Sequence, residues 1–307
     1  MKYPSKLKEG ATIGLVSPSS AITKERENAC VEKLRKMGYK VKTSGNISTC
    51  YGGYMADKPQ VRGYWLNEMF ADPEVDAVFC VRGGDGSNGV WKYLDLDVIR
   101  ANPKIFAGYS DITTFHLIFN QLCDMVTFHA PMVSSNMLDN FDPETEKSFF
   151  QALNAEGPYD FVNPEGFGLK TMKGGRAEGI LTGGNLPLVA ASFGTPYEID
   201  CRGRILFLED VHAHVDSTDR IVMQLANSGK FDDCAGILLG QFTDCINQAD
   251  ESYTMLDMFS DILSCYDIPV MYNLQSGHGF PMMTLPLGAS CIMDADKRTV
   301  RFIPSGR

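Results

Sequence analysis

The 307-residue chain has no C-x-x-C pair, no apolar run long enough to cross a membrane, no internal repeat and no low-complexity tract. Each absence excludes something. Nine cysteines, an odd number scattered from Cys30 to Cys291 without paired spacing, argue against a zinc ribbon or a redox dithiol and fit free thiols in a reducing compartment. The first apolar run, at 13–16, is too short for a signal peptide or a membrane span, so the expectation is a cytoplasmic protein with no membrane partner. Positive charge is in deficit: 28 Lys and Arg against 38 Asp and Glu give a net charge of −10. Clustered cations are what neutralise a phosphate backbone, so no nucleic-acid partner is expected. A local pocket in an acidic protein can still be basic, so a small anionic substrate stays open.

What is present reads as α/β. Apolar runs at 11–16, 39–43, 75–81, 104–109 and 125–129 alternate with helical patterns at 23–37, 61–70, 90–99, 111–122 and 144–153. That alternation predicts a parallel sheet with helices on both faces, whose ligands bind beyond the carboxyl ends of the strands. The residues just after the strands therefore carry the information: Ser17, Gly83, Ser110 and His129. Residues 1–155 form this first domain. The glycine-containing, aperiodic stretch 156–178 reads as a linker. Residues 179–307 read as a mixed, β-rich second domain, with strands near 205–208, 235–239, 269–272, 289–293 and 299–303 and helices near 217–228 and 253–265.

Ser110 stands between a buried strand and a helix, in Gly108-Tyr109-Ser110-Asp111-Ile112. A sharp strand-to-helix turn exposes a serine hydroxyl and leaves backbone N–H groups for an oxyanion. A helix N-cap serine fits the same position, and from the local sequence it is the commoner arrangement. A nucleophilic serine needs a base, and there are five histidines. His116 lies one and a half turns along the same helix and reads as packed. His129 ends a strand, where it reaches the site or supports a loop. His212 and His214 make H-x-H beside Asp210 and Asp216, but a third ligand at a recognisable spacing is missing, so no metal is expected. His278, between Gly277 and Gly279, is the best base, because flanking glycines allow close approach. Glu209 ends the apolar run 205–208 and can orient an imidazole; Asp210 competes for that role.

Gly84-Asp85-Gly86-Ser87-Asn88-Gly89 spells the dinucleotide fingerprint. It follows the third strand instead of the first, and no acid stands about 20 residues on at a strand end, so no nicotinamide or other cofactor is expected. The same turn can offer N–H groups to an oxyanion.

Taken in order, Arg82-Gly83-Gly84-x-Gly86-Ser87-Asn88, Ala101-Asn102-Pro103-Lys104, Gly108-Tyr109-Ser110-Asp111-Ile112-Thr113, Thr127-Phe128-His129-x-Pro131-Met132, Gly183-Gly184-Asn185-Leu186, Leu208-Glu209-Asp210, Gly277-His278 and Leu285-Pro286-Leu287-Gly288 resemble the LD-carboxypeptidases. That serine peptidase family also contains the microcin C self-immunity peptidases. The resemblance spans nearly the whole chain. It implies a flavodoxin-like N-terminal domain, a smaller β-rich C-terminal domain and a homodimer. It also implies a triad of Ser110, Glu209 and His278, with an oxyanion hole from the backbone of Gly84, Asp85 and Asp111. Many members carry an aromatic residue where this chain has Asp85, which bears on the pocket and not on the backbone donors.

The expected reaction is release of the terminal D-alanine from a murein tetrapeptide, with Arg82 as a cation for the substrate carboxylate. A structural arginine bonded to backbone is the other reading of Arg82. Cleavage of a peptidyl-nucleotide antibiotic, and a non-catalytic binding protein using the same cleft, are the alternatives.

Overall fold

The computed structural model describes residues 1–304. From the N-terminus the elements are β1 (Thr12–Val16), α1 (Lys24–Lys36), β2 (Lys40–Thr43), α2 (Pro59–Ala71), β3 (Ala77–Cys80), α3 (Leu96–Ala101), β4 (Ile105–Gly108), α4 (Thr113–Cys123), β5 (Thr127–His129) and α5 (Pro143–Asn154). Then follow β6 (Tyr159–Asp160), β7 (Lys170–Lys173), β8 (Arg176–Asn185), α6 (Leu186–Ala191), β9 (Ile205–Val211), α7 (Val215–Asn227), α8 (Lys230–Asp233), β10 (Gly236–Thr243), α9 (Met255–Leu263), β11 (Val270–Tyr272), β12 (Leu285–Leu287), β13 (Ser290–Asp294) and β14 (Thr299–Ile303). These elements form two units. The first holds Met1–Glu156 and Thr284–Gly288; the second holds Gly157–Met283 and Ala289–Pro304.

The sheet of the first unit has the order β12-β5-β4-β3-β1-β2. Its five N-terminal strands are parallel, and β12 adds antiparallel to β5. The order 2-1-3-4-5 is the flavodoxin-like one, which reverses direction between β1 and β3 and opens a crevice there. Helices cover both faces, so β3 and β4 read as unbroken apolar runs and every residue in them is buried. Beneath β4, Phe106 meets Phe119 at 4.9 Å, and Phe119 meets Phe70 at 5.4 Å, both edge to face. Local signals end the helices: the Thr23 hydroxyl caps α1, and Asp142 with Pro143 starts α5.

The second unit holds an eight-stranded sheet, β6-β14-β13-β8-β9-β10-β11-β7. Its central strands β8, β9, β10 and β11 are parallel, and the flanking strands run antiparallel. Residues 156–178, expected to be a linker, contain β6, β7 and the start of β8. The span 90–99, expected to be one helix, holds a short 3-10 turn, Trp91–Tyr93, and the start of the brief α3, which Asp95 caps; another 3-10 turn, Ser87–Gly89, precedes it. Among the described residues no helix is long and apolar enough to cross a membrane.

Candidate active site

Ser110 follows β4 with φ at 65°, in the left-handed region. An L-residue held there costs about 1–2 kcal/mol. The surrounding packing enforces it. A Cβ on Gly83 would lie 2.8 Å from the Ser110 Cβ and 3.0 Å from its hydroxyl, so only glycine fits beside the turn. Ser110 opens a 3-10 turn, Ser110–Ile112, and α4 begins after it with Ile112 at its cap and no capping side chain. The N-cap reading of Ser110 therefore fails, since caps take extended backbone.

His116 is fully buried in α4, and burial pushes its imidazole down to about 4. A carbonyl can only accept, so Nε2 carries the proton and donates to the Gly108 carbonyl at 2.9 Å, while the Thr127 hydroxyl lies 2.9 Å from Nδ1. His116 thus braces the strand that presents Ser110. His129 is also fully buried, with its ring against Tyr109 at 5.8 Å, and supports the same turn.

The glycine-rich turn after β3 is tied to the loop after β1. Asp85 donates its backbone N–H to the Ser20 hydroxyl at 3.1 Å, and Gly84, at φ 114°, leaves no room for a Cβ against Ser20. The buried Asp111 carboxylate accepts from the Ser87 N–H at 3.0 Å, from the Ser87 hydroxyl at 2.8 Å and from the Ser19 hydroxyl. Burial raises its pKa against the lowering effect of these donors. Arg62 in α2 is 1% exposed and holds the same loops from the other side. Arg82 is exposed. With Arg26, Ser48, Cys50 and Ser134 it lines a cavity of about 630 Å3 at the carboxyl ends of the strands.

In the second unit β9 carries Glu209, fully buried, at its carboxyl end. Its Oε2 accepts from His278 Nδ1 at 2.7 Å. That bond makes Nε2 the basic nitrogen of the neutral ring. Burial, the largest influence on His278, pushes its pKa down from 6.5. The Glu209 charge, the hydrogen bond to it and the Asp210 charge together outweigh burial, so the net shift is upward. Gly277 sits at φ 141°, where a Cβ would lie 2.9 Å from Glu209 Oε2, so glycine permits the close approach. Asp210 does not hold the imidazole. Its carboxylate faces the Val211 N–H at 2.8 Å and the Asn185 amide, and burial raises it to about 6.

Gln241 was not singled out in the sequence. Its side chain accepts from the Gly279 N–H at 2.9 Å and donates to Gln275 at 2.9 Å, gripping the His278 loop on both sides. Ser19, Ser20 and Arg62 were not singled out either, although Ser19 and Ser20 lie in the turn-forming Ser17-Pro18-Ser19-Ser20, and Ser87 appeared only as part of the glycine-rich motif. His212 is exposed, 3.8 Å from Asp244, and among the described residues no three His, Cys, Asp or Glu side chains cluster as a metal site would need.

Comparison with known proteins fits this arrangement to a family. The LD-carboxypeptidase N-terminal domain profile matches residues 13–130, and the LD-carboxypeptidase C-terminal domain profile matches residues 178–293. The chain belongs to the LD-carboxypeptidase family. A probable murein peptide carboxypeptidase of Bacillus subtilis (strain 168) is 36% identical over 298 residues, 96% of this chain and 92% of that protein. The microcin C7 self-immunity protein MccF of Escherichia coli is 28% identical over 322 residues, 95% of this chain and 92% of MccF. A solved structure of muramoyltetrapeptide carboxypeptidase from Oxalobacter formigenes superposes with a TM-score of 0.83 at 25% identity, covering 95% of this chain and 98% of that one. As an LD-carboxypeptidase this protein is a serine-type carboxypeptidase of the hydrolase class.

The expected partner set, with its exclusion of nucleic-acid chemistry, is corrected by other solved relatives. Structures of MccF hold adenosine monophosphate, glutamyl sulfamoyl guanosine and aspartyl sulfamoyl adenosine, the first with a TM-score of 0.91 over 98% of both chains. A net charge of −10 bears on binding a polyanionic backbone. It says nothing of one nucleotide group in a pocket, where a few local donors suffice.

Proposed function

We propose that the protein hydrolyses the L-to-D amide bond of murein tetrapeptides and releases the terminal D-alanine, with Ser110 as nucleophile, His278 as general base and Glu209 as the group that orients it. The observation that carries this reading is the bond at 2.7 Å from His278 to the fully buried Glu209, taken with a serine held at φ 65°. His278 Nε2 takes the Ser110 proton as the hydroxyl oxygen bonds to the amide carbon. The carbonyl electrons become an oxyanion, held by backbone N–H groups of Asp111 and of the turn Gly84-Asp85. When the tetrahedral centre collapses, the C–N bond breaks and His278 gives its proton to the leaving amine of D-alanine. Water, deprotonated by the same imidazole, then frees the acyl group from Ser110. The Asp85 N–H is taken by the Ser20 hydroxyl, which leaves Gly84 and Asp111 as the more available donors. Arg82, in its cavity beyond the strands, suits the substrate's terminal carboxylate. The nine free thiols support a cytoplasmic site of action on recycled wall fragments.

Murein tetrapeptide incubated with the protein and followed by mass should lose one alanine. Ser110→Ala should lower that turnover by several orders of magnitude while substrate still binds. Unchanged turnover in that variant removes Ser110 from the mechanism. A peptidyl-nucleotide substrate is the second reading, favoured by the ligands held in MccF, and the same assay run beside the first decides between them.

A further inference from the structure

We infer that Arg62 and Asp111 are positioning residues that clamp the peptide unit between Gly86 and Ser87 by its two ends, and so hold the glycine-rich turn in the orientation that catalysis needs. The inference rests on the proposed role of that turn as an oxyanion site. The carbonyl of Gly86 accepts from Arg62 Nη1 at 3.0 Å, and the N–H of the next residue, Ser87, donates to Asp111 at 3.0 Å. One peptide dipole thus lies between a buried cation and a buried carboxylate, negative end to the guanidinium and positive end to the carboxylate. A flip of that peptide would turn the carbonyl toward Asp111 and the N–H toward Arg62, reversing both interactions.

The turn has need of such a device. Gly83, Gly84 and Gly86 occupy three of four consecutive positions, with Gly84 at φ 114° and Gly86 at φ 98°. Glycine is chosen there for close approach, and the same freedom makes peptide rotation easy. No side chain at those positions can lock the loop, so the lock comes from outside it. Arg62 also donates from Nη1 to the Pro18 carbonyl at 2.9 Å and from Nη2 to Met55 Sδ at 3.4 Å, so it ties the loops after β1, β2 and β3 together. None of these partners is a carboxylate. A guanidinium 1% exposed whose Nη1 donates to two main-chain carbonyls serves backbone geometry first. Asp111 completes the link from the other side. It directly follows Ser110, its own N–H is a proposed oxyanion donor, and its side chain grips Ser87 and Ser19. One residue therefore couples the nucleophile turn to the glycine turn.

The test compares Arg62→Met, Arg62→Lys, Asp111→Asn, both Arg62 variants combined with Asp111→Asn, and Ser110→Ala in the full-length protein. The readouts are kcat and KM on murein tetrapeptide and the rate of inactivation by a serine-directed fluorophosphonate. Arg62→Met should lower kcat by about 100-fold or more with KM within about threefold, and phosphonylation should slow in parallel, because the defect lies in stabilising the tetrahedral anion. Arg62→Lys, whose ammonium can still reach two carbonyls, should recover to within about tenfold of the parent. The double variants should be no worse than the poorer single, since both residues hold one peptide. Wild-type kcat in Arg62→Met, a change in KM alone, or additive losses in the doubles overturn the clamp. If Arg62→Met does not purify folded, the cycle of Arg62→Lys with Asp111→Asn decides by the same additivity criterion. Ser110→Ala separates the two readings: activity surviving there sinks the hydrolase itself, whereas a dead Ser110→Ala beside a normal Arg62→Met sinks only the clamp.

Discussion

A serine at φ 65° and a histidine bonded to a fully buried glutamate are both arrangements that a fold keeps only by surrounding them. At this scale the chemistry turns on which nitrogen is basic and at what pH. His278 is raised above 6.5, so the acid limb of kcat/KM should have its midpoint above that value, with activity appearing as the ring loses its proton. Glu209→Gln removes the charge that raises it. The limb should then move to lower pH, and kcat should fall by on the order of 10³-fold because the ring loses its orienting anion. A pH–rate profile of the two proteins checks both. Asp210 gives the opposite kind of test. Its folded pKa, about 6, lies above its ordinary 3.8 because burial disfavours the charge. An acid shifted upward contributes no penalty below pH 3.8, a growing one between 3.8 and about 6, and the full penalty above. Asp210→Asn keeps the acceptor for Val211 and should therefore stabilise the protein at pH 7.5, by up to roughly 3 kcal/mol, with a smaller gain at pH 5. Denaturant melts at the two pH values read this directly; equal gains at both refute it.

Among the elements, those with a strong period were legible and those shaped by close contact were not. The runs at 11–16 and 104–109 became β1 and β4, because a strand buried on both faces is written as continuous apolar sequence. β8 has no counterpart among the expected strands, and only its start lies in the stretch 156–178. It contains Gly179, Gly183 and Gly184, which weaken a strand pattern, yet a Cβ on Gly183 would stand 1.9 Å from the Phe207 carbonyl of the neighbouring strand. Glycine is there because β8 and β9 approach closely, and no local rule states that. β12 was hidden by Pro286, which a central strand rejects and an edge strand accepts. Of the site, Ser110, Glu209 and His278 are legible from their positions at strand ends and between glycines; position alone leaves Asp210 beside Glu209, the resemblance selects Glu209, and Glu209 is the one bonded to His278. Arg62 and Gln241 were not legible, and of the serine loop after β1 only its turn was, since their partners lie far along the chain and several are backbone atoms. The His116 brace belongs to this scale too. Replacing it with Leu removes one of the two hydrogen bonds on the Gly108 carbonyl, which keeps the Ala130 N–H at 3.1 Å, and should cost about 0.5–1.5 kcal/mol in a thermal or urea melt. No loss of stability would mean that α4 and β4 do not depend on this bond.

For the molecule as a whole, the notable connection is that Thr284–Gly288 belongs to the first unit although it lies near the end of the sequence. Leu285 and Leu287 are fully buried and pair with His129 and Thr127 on the otherwise open edge of β5. Leu287→Asp would bury an unpaired carboxylate at that edge and should cost more than about 3 kcal/mol, seen as a fall in melting temperature together with loss of activity. A melt unchanged from the parent would show that this strand is dispensable. The consequence reaches back to synthesis. On the ribosome, β5 emerges long before the strand that covers it, so the nascent first sheet waits with a bare edge while residues 130–284 are made. The serine is made early, but the sheet that aims it is complete only once β12 arrives, and a polypeptide released before that point would leave the sheet unfinished.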